Sequence, residues 1–507
     1  MHKCWNVPEL TRLILEELGK PIPGNLAHIT LHRLKTICRV LSYPALDLLW
    51  EEQYALVPLL KCLPSHLWDV SDRIFKIRSP IASADWERVF VYSSRVKKFS
   101  DNPILDVPLD ASVLEAIVMS QPMVSLFPNI REVCSDCNSN LFPLLRFLLG
   151  PKLETAIFCL DGPVWRLGVL PGLASKCTSL RNLSLSVRQG SHDRDDATAY
   201  ISAFVAQLAH VRRVNVTSLN AVAYLHLSHL LSLETLNVAN LDSIPFPVGQ
   251  GISDGPFFPA LHRLTLSMRN LPFAANFMSV PVNAPLCAVF IDAQDPATEA
   301  ELSAFLRTFQ AHCSFNRLTS VRLHVGEQSD RGRVIRTTHI MTSATLRPLL
   351  SFPNLRFLDI FSPQGFSFDD DFLAAMALAW PQIEQLIIGG RPPKKNPKPR
   401  VTALAVLSRN CPRLQHLSLT VDATQLQEDH SPRRERVVQT ALHSANFNDS
   451  AIESASEVAA LLSSIFPSLK RVKSSSESYK EEWVEVRKLI PMFAKIRADE
   501  KQFWVQE

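Results

Sequence analysis

One phrase, L-x-x-L-x-L, recurs along the chain and restricts it to very few architectures. Clear copies are Leu180, Leu183, Leu185; Leu233, Leu236, Val238; Leu261, Leu264, Leu266; Leu286, Val289, Ile291; Leu318, Val321, Leu323; Leu355, Leu358, Ile360; Ile383, Leu386, Ile388; and Leu414, Leu417, Leu419. Weaker copies open at Ile130, Leu153, Val211, Leu442 and Leu469. Successive openings lie 22 to 37 residues apart and average about 28, a period that marks stacked repeat units.

The closing L-x-L is the period-two pattern of a strand that buries one face. Between strands lie helical patterns, as in Ala297 to His312, where Leu302, Phe305, Leu306 and Phe309 form one stripe. Similar stretches are Ala199 to Leu208, Asp370 to Trp380, Thr402 to Ser408 and Glu453 to Phe466, with Thr298, Asp370 and Ser454 as expected N-caps. F-P-A-L, F-P-N-L, C-P-R-L and F-P-S-L place proline between helix and strand, where it stops the helix without removing a ladder bond. One such unit cannot bury its own apolar face, so neighbours must stack. The expected fold class is α/β, an irregular leucine-rich-repeat-like solenoid with a concave parallel sheet; a conventional α/β domain with a parallel sheet is the alternative. The asparagine that follows L-x-L in regular repeats is largely missing, with Ser186, Ser267 and Thr420 nearby instead.

Composition removes other classes. Of 507 residues 46% are apolar and 20% charged, which excludes wholesale disorder. A net charge of +4 is too small for a surface given over to phosphate. Fifteen glycines, about 3% against a usual share of about 7%, disfavour phosphate-cradling loops. No secretory h-region opens the chain, and no apolar run approaches the roughly 18 residues of a membrane span. Ten cysteines are then expected as reduced thiols in a cytoplasmic or nuclear protein, and the sequons at Asn182, Asn215 and Asn448 as chance matches.

Residues 1–63 do not follow the repeat. Leu10, Leu13, Ile14 and Leu18 have helical spacing, Pro8 stands where a first-turn proline is tolerated, and two further apolar helical patterns run around Leu31 to Leu41 and Pro44 to Leu60. This predicts a small all-α unit preceding the solenoid, followed by a connecting segment over 64–125, repeats over 126–475 and a capping helix over 476–507. Trp86, Val89, Phe90 and Val96 predict a helix leading into a weak strand near Phe99, and Trp483, Val486, Leu489, Ile490 and Phe493 carry the closing helix.

The string V-P-E-L-x-x-x-I-x-x-x-L (7–18), then L-x-x-L-x-x-I-C-R (31–39), then P-A-L-D-L-L-W (44–50) resembles the F-box, and its union with L-x-x-L-x-L repeats resembles the large class of fungal F-box proteins. The resemblance implies that this unit binds the Skp-type adaptor of a cullin-RING (SCF-type) ubiquitin ligase. It implies adaptor contacts for Val7, Pro8, Glu9, Leu10, Ile14, Leu18, Leu34, Cys38 and Trp50. Read from the residues alone, the alternative is that 1–63 is a helical cap on the first repeat.

Motifs of catalysis are weak. Gly251-Ile252-Ser253-Asp254-Gly255 matches the G-x-S-x-G nucleophile elbow, but Pro245, Pro247, Pro256 and Pro259 flank it instead of a strand and a helix. Cys134 and Cys137 form a single C-x-x-C with no second pair, so neither metal nor cofactor is expected. Two basic stretches, Arg391, Lys394, Lys395, Lys398 and Arg400, and Arg433, Arg434 and Arg436, read as solvated loops; no aromatics interleave them as a nucleic-acid platform would require.

If L-x-L residues point inward, the alternate residues tile the other sheet face. Its rows include Asn182, Ser184 and Ser186; Arg263, Thr265 and Ser267; Ser320, Arg322 and His324; Phe357, Asp359 and Phe361; and His416, Ser418 and Thr420. The mixture carries no dominant sign and suits a protein partner, with Arg263, Arg322, His324, Phe357, Asp359, Phe361 and His416 as target-binding candidates and the two phenylalanines as hot spots. Arg263 and Arg322 stand two repeats apart, too far to share one phosphate. The expected function is a non-enzymatic substrate receptor of a ubiquitin ligase, without nucleic acid or membrane. The alternative is a repeat scaffold for protein interaction with no ubiquitin role.

Overall fold

The computed structural model describes residues 8–18, 39–101, 107–120, 125–135, 145–160, 163–187, 194–240, 257–278, 284–326, 341–390, 396–426 and 438–505. The chain divides into two compact units, 1–233 and 234–507. In the first, strands β1 (Glu52–Gln53), β4 (Lys98–Asp101), β5 (Glu132–Ser135), β6 (Thr155–Leu160), β7 (Asn182–Val187) and β8 (Arg213–Val216) pair in that order, all parallel. Between β1 and β4, β2 (Trp68–Ser71) and β3 (Ile74–Ile77) form an antiparallel hairpin. The second unit orders β9 (Thr235–Val238), β10 (Arg263–Met268), β11 (Ala288–Ala293), β12 (Ser320–Val325), β14 (Phe357–Phe361), β16 (Gln385–Gly389), β17 (His416–Ser418), β19 (Ser444–Asn446) and β21 (Arg471–Lys473), again all parallel. Two small parallel pairs accompany them: β13 (Met341–Thr342) with β15 (Phe366–Ser367), and β18 (Asp422–Ala423) with β20 (Ala451–Ile452). Each unit is leucine-rich-repeat-like α/β solenoid.

The phrase sets the register directly. All thirteen opening residues, from Ile130 to Leu469, are buried, and each of the thirteen strands from β5 to β21 in these sheets begins two residues later. The residue between opening and strand is the joint of the repeat. Its carbonyl accepts two backbone N–H bonds from the next repeat, as Thr319 does from Arg356 (2.8 Å) and Phe357 (3.0 Å), and Arg181 from Arg212 (2.7 Å) and Arg213 (3.0 Å). The inward residues at the next and third positions, such as Val321 and Leu323 or Leu358 and Ile360, are buried under the helices. Each such leucine contributes about 1.5–3 kcal/mol on burial.

Helices follow the expected stripes with shifted ends. Helix Glu299–His312 buries Leu302, Phe305, Leu306 and Phe309, and a reciprocal capping box joins Thr298 and Glu301. Ser454 caps helix Ala455–Ile465. Helix Asp370–Ala379 is capped by Asp369, not by Asp370 as expected: the Asp369 carboxylate accepts from Phe372 N (3.0 Å), whereas Asp370 accepts from Arg400 N and Nε. The C-terminal helix Lys480–Val505 packs against Ala455–Ile465 through buried Trp483, Val486 and Ile490, with Leu489 and Phe493 half-buried. Trp483 stacks on Phe447 at 4.8 Å and donates from Nε1 to Ser450 O at 3.0 Å. It covers the last repeat on the helical side.

The N-terminal region departs from expectation. The helix expected over Pro44 to Leu60 is instead helix Arg39–Glu51, strand β1 and a short helix Val57–Leu60. Parallel pairing therefore begins well before residue 126, and Trp50 and Val96 stand two residues before β1 and β4, the place that leucine takes in later repeats. Of the sequon asparagines, Asn448 is buried, its Nδ2 donating to Ile388 O (3.1 Å) and its Oδ1 accepting from Ser418 Oγ (3.1 Å) and Asn446 Nδ2 (3.1 Å).

Candidate protein-binding faces

Pairing aligns the outward residues of the second unit into three rows. The first runs Arg263, Ala288, Ser320, Phe357, Gln385, His416; the second Thr265, Phe290, Arg322, Asp359, Ile387, Ser418; the third Ser267, Asp292, His324, Phe361, Gly389. Neighbouring strands lie about 4.8 Å apart, so side chains of adjacent repeats touch.

Four strands build one cluster. The Arg322 guanidinium lies 5.3 Å from the Phe290 ring centre and 5.7 Å from that of Phe357, and Arg263 approaches Phe290 at 5.8 Å. Phe290 and Phe357 meet edge to face at 6.4 Å. Arg322 Nε also reaches Asp359 Oδ2 at 3.3 Å. His324 sits between two carboxylates, with Nε2 2.9 Å from Asp359 Oδ1, out of line for a hydrogen bond, and Nδ1 3.8 Å from Asp292 Oδ1. Its ring is 5.9 Å from Phe361. Phe361 has room because Gly389 stands opposite in register; a Cβ there would lie 3.0 Å from the Phe361 ring. Arg263 and Arg322, two repeats apart, thus share one aromatic ring.

This arrangement is suited to binding. The half-buried rings and exposed Arg263 sit on a hydrogen-bonded sheet, already held by cation–π contacts worth about 0.5–1 kcal/mol each at exposed sites. Little side-chain freedom is left to be lost when a partner arrives. Phe290 and Asp292 were absent from the rows read in the sequence, although the phrase opening at Leu286 and the same alternation point to both. Ser418 and Thr420, expected on the open face, are buried; Ser418 is tied to Asn448.

His416 lies at one end of this face, edge to face with His443 at 4.8 Å. Burial, then the nearby His443 and Arg471, push its pKa below the usual histidine value. The unfolded chain, with an ordinary value of about 6.5, then binds the proton more readily. Stability should be level above that pH and decline as pH falls through it toward the lower folded value. Urea midpoints of wild type and His416→Gln at several pH values check this: the variant should lose part of the acid-side decline, and an unchanged slope would refute it.

In the first unit, helix Pro8–Leu18 packs buried Thr11 and Leu15 toward helix Arg39–Glu51, where Ala45 is buried and Leu48 and Leu49 are partly buried. Ile14 is half-buried and Glu9 exposed. Leu10 and Leu13 are 45% and 57% exposed, so one helix face presents leucine to solvent. Trp50 is half-buried, its ring 4.8 Å from that of Tyr92. Pro8 and Leu18 are described in their backbone alone; Val7, Leu34 and Cys38 lie outside the described residues, as do 251–255, Cys137, Arg391, Lys394, Lys395, Arg433, Arg434 and Arg436.

Burial pushes the thiols of Cys313 and Cys411 up to about 12 and that of Cys177 to about 11, which suppresses thiolate chemistry. Among the described residues no three His, Cys, Asp or Glu side chains are grouped to hold a metal, and no helix is long and apolar enough to cross a membrane.

No family model and no curated protein matches the chain. Among solved structures it is similar to an internalin of Listeria monocytogenes, at 14% identity and a TM-score of 0.34, covering 75% of this chain and 87% of that one. It is also similar to a chain of the yeast Rad7 and Elc1 complex, at 14% identity and a TM-score of 0.33, covering 86% and 92%. The fold assignment rests on the strand register given above.

Proposed function

We propose that this chain is a non-catalytic substrate receptor of a cullin-RING ubiquitin ligase, with helix Pro8–Leu18 binding a Skp-type adaptor and the face around Arg322 binding a target protein. The observation that carries the reading is the preformed Arg263, Phe290, Arg322 and Phe357 cluster, a solvent-facing group of aromatic and arginine side chains of the kind that dominates protein interfaces. The adaptor half draws on the F-box resemblance and on exposed Leu10 and Leu13. Such a receptor adds proximity: it raises the target's effective concentration beside the ubiquitin-charged subunits. A repeat scaffold would use the same face with no adaptor.

The target half is tested by affinity capture with wild type and with Arg322→Ala/Phe357→Ala. Hot-spot losses of about 2 kcal/mol or more correspond to a drop of at least ~30-fold in affinity for the target, with recovery falling accordingly. Adaptor recovery should not change. An identical set of captured proteins from the two baits would remove this face from the proposal.

A further inference from the structure

A second site lies in the first unit. Helix Pro8–Leu18, helix Arg39–Glu51 and the turns that open the first strands enclose a cleft of about 700 Å³. Five cations line it, Arg12, Arg95, Lys97, Arg131 and Lys152, against two carboxylates, Asp47 and Glu51. Five minus two leaves three positive charges in the lining. Both carboxylates are already engaged: Asp47 pairs with Arg95, and Glu51 Oε1 lies 2.9 Å from Lys97 Nζ and 3.9 Å from Arg12 Nη2. Beyond the lining, Arg12 also pairs with Glu16 (2.7 Å), and Arg131 reaches Glu154 at 3.7 Å. Lys152 Nζ donates to the neutral Asn129 amide oxygen (2.6 Å), whose own Nδ2 donates to Ser94 O (2.7 Å).

One donor in this wall lacks an acceptor. Arg95 is 15% exposed, its guanidinium lies 5.8 Å from the Tyr43 ring, and its Nε is buried without a hydrogen-bond partner. Arg95 therefore adds positive charge beside the cleft, while the donors within reach of a ligand belong to Lys97, Arg131 and Lys152. The cleft also has the size of a small-molecule site, larger than one tetrahedral anion would fill.

We propose that this cleft binds a small anion carrying more than one phosphoryl group, held by Arg95, Lys97, Arg131 and Lys152. The inference is independent of the receptor reading, since it needs neither adaptor nor target. Phosphoryl oxygens would accept from the exposed Arg131 guanidinium and from the Lys97 and Lys152 ammonium groups, while Glu51 holds Lys97 and Arg12 in place.

Isothermal titration of the purified full chain with tripolyphosphate, pyrophosphate and orthophosphate tests it, with sulfate at matched ionic strength as control. Expected are saturable one-site binding that tightens with the number of phosphoryl groups and weakening as salt rises from about 50 to 300 mM. Arg131→Ala/Lys152→Ala, both at exposed positions, should weaken tripolyphosphate at least tenfold. If circular dichroism shows that variant misfolded, Lys152→Met alone should weaken it about threefold. A sugar bisphosphate arm identifies the source: tighter binding than tripolyphosphate supports a phosphate ester, weaker binding an inorganic polyphosphate. The proposal is overturned by no saturation at about 1 mM tripolyphosphate, by equal affinity for sulfate, or by undiminished binding in the folded variants.

Discussion

Replacing Leu10 and Leu13 together by glutamate should abolish co-purification of a Skp-type adaptor and leave the chain folded. The two residues share the solvent side of helix Pro8–Leu18, while Thr11 and Leu15 hold the other side inside the first unit. Burying a leucine against a partner is worth about 1.5–3 kcal/mol, and an unpaired carboxylate in its place adds a desolvation cost. The pair should weaken an adaptor more than 100-fold. Size exclusion and circular dichroism establish that the variant is folded, and Leu15→Glu is the contrasting control that should disrupt the helix pair itself. Undiminished adaptor recovery with folded L10E/L13E would eliminate the ligase half of the proposal and leave a repeat scaffold. Deleting residues 1–63 is a poorer test. That cut removes strand β1 and buried Val57, Leu59 and Leu60, and so would confuse lost binding with lost structure.

The largest loss of stability is expected at Trp380. It closes helix Asp370–Ala379 at 1% exposure, and its Nε1 donates to Leu349 O at 3.2 Å in the preceding repeat. Its carbonyl receives Ile383 N, and Cys411 Sγ of the following repeat lies 3.7 Å from the same oxygen. One side chain and its peptide therefore join three consecutive repeats. Trp380→Ala should cost about 3–5 kcal/mol through the cavity, with the Leu349 carbonyl keeping only its bond from Phe352 N. Trp380→Phe keeps most of the ring and should cost less. Denaturant titration of the three proteins gives the order directly; a loss below about 1 kcal/mol in W380A would mean that the neighbouring repeats collapse into the space. Because repeats couple to nearest neighbours, the transition should also lose sharpness in the alanine variant.

What was legible in the sequence was local and periodic. Thirteen phrases gave thirteen strands, since a leucine at the opening and two more at alternate positions leave the backbone one way to bury them. Strand β1 was hidden because Gln53 occupies the first inward place and the apolar run from Pro44 to Leu60 reads as one helix. The β2–β3 hairpin was hidden for another reason. Its turn residues Asp72 and Arg73 both adopt left-handed φ, 54° and 62°, without the Asn-Gly or Asp-Gly that announces such a turn. The binding face was legible as alternation, but its grouping was not. That Arg263 and Arg322 converge on Phe290, or that Asn448 closes over Ser418, depends on neighbours 27 to 32 residues apart whose side-chain directions the phrase does not fix.

The doubly bonded carbonyl between opening residue and strand has a further meaning for how such a chain changes over time. It reproduces the same backbone joint in units as short as 23 residues and as long as 37. Everything the sheet demands is met within about six consecutive positions of each unit, so length elsewhere is a free variable. New segments can enter after a strand without re-tuning the strands on either side. Surface can therefore diversify by insertion while the frame that presents it stays constant.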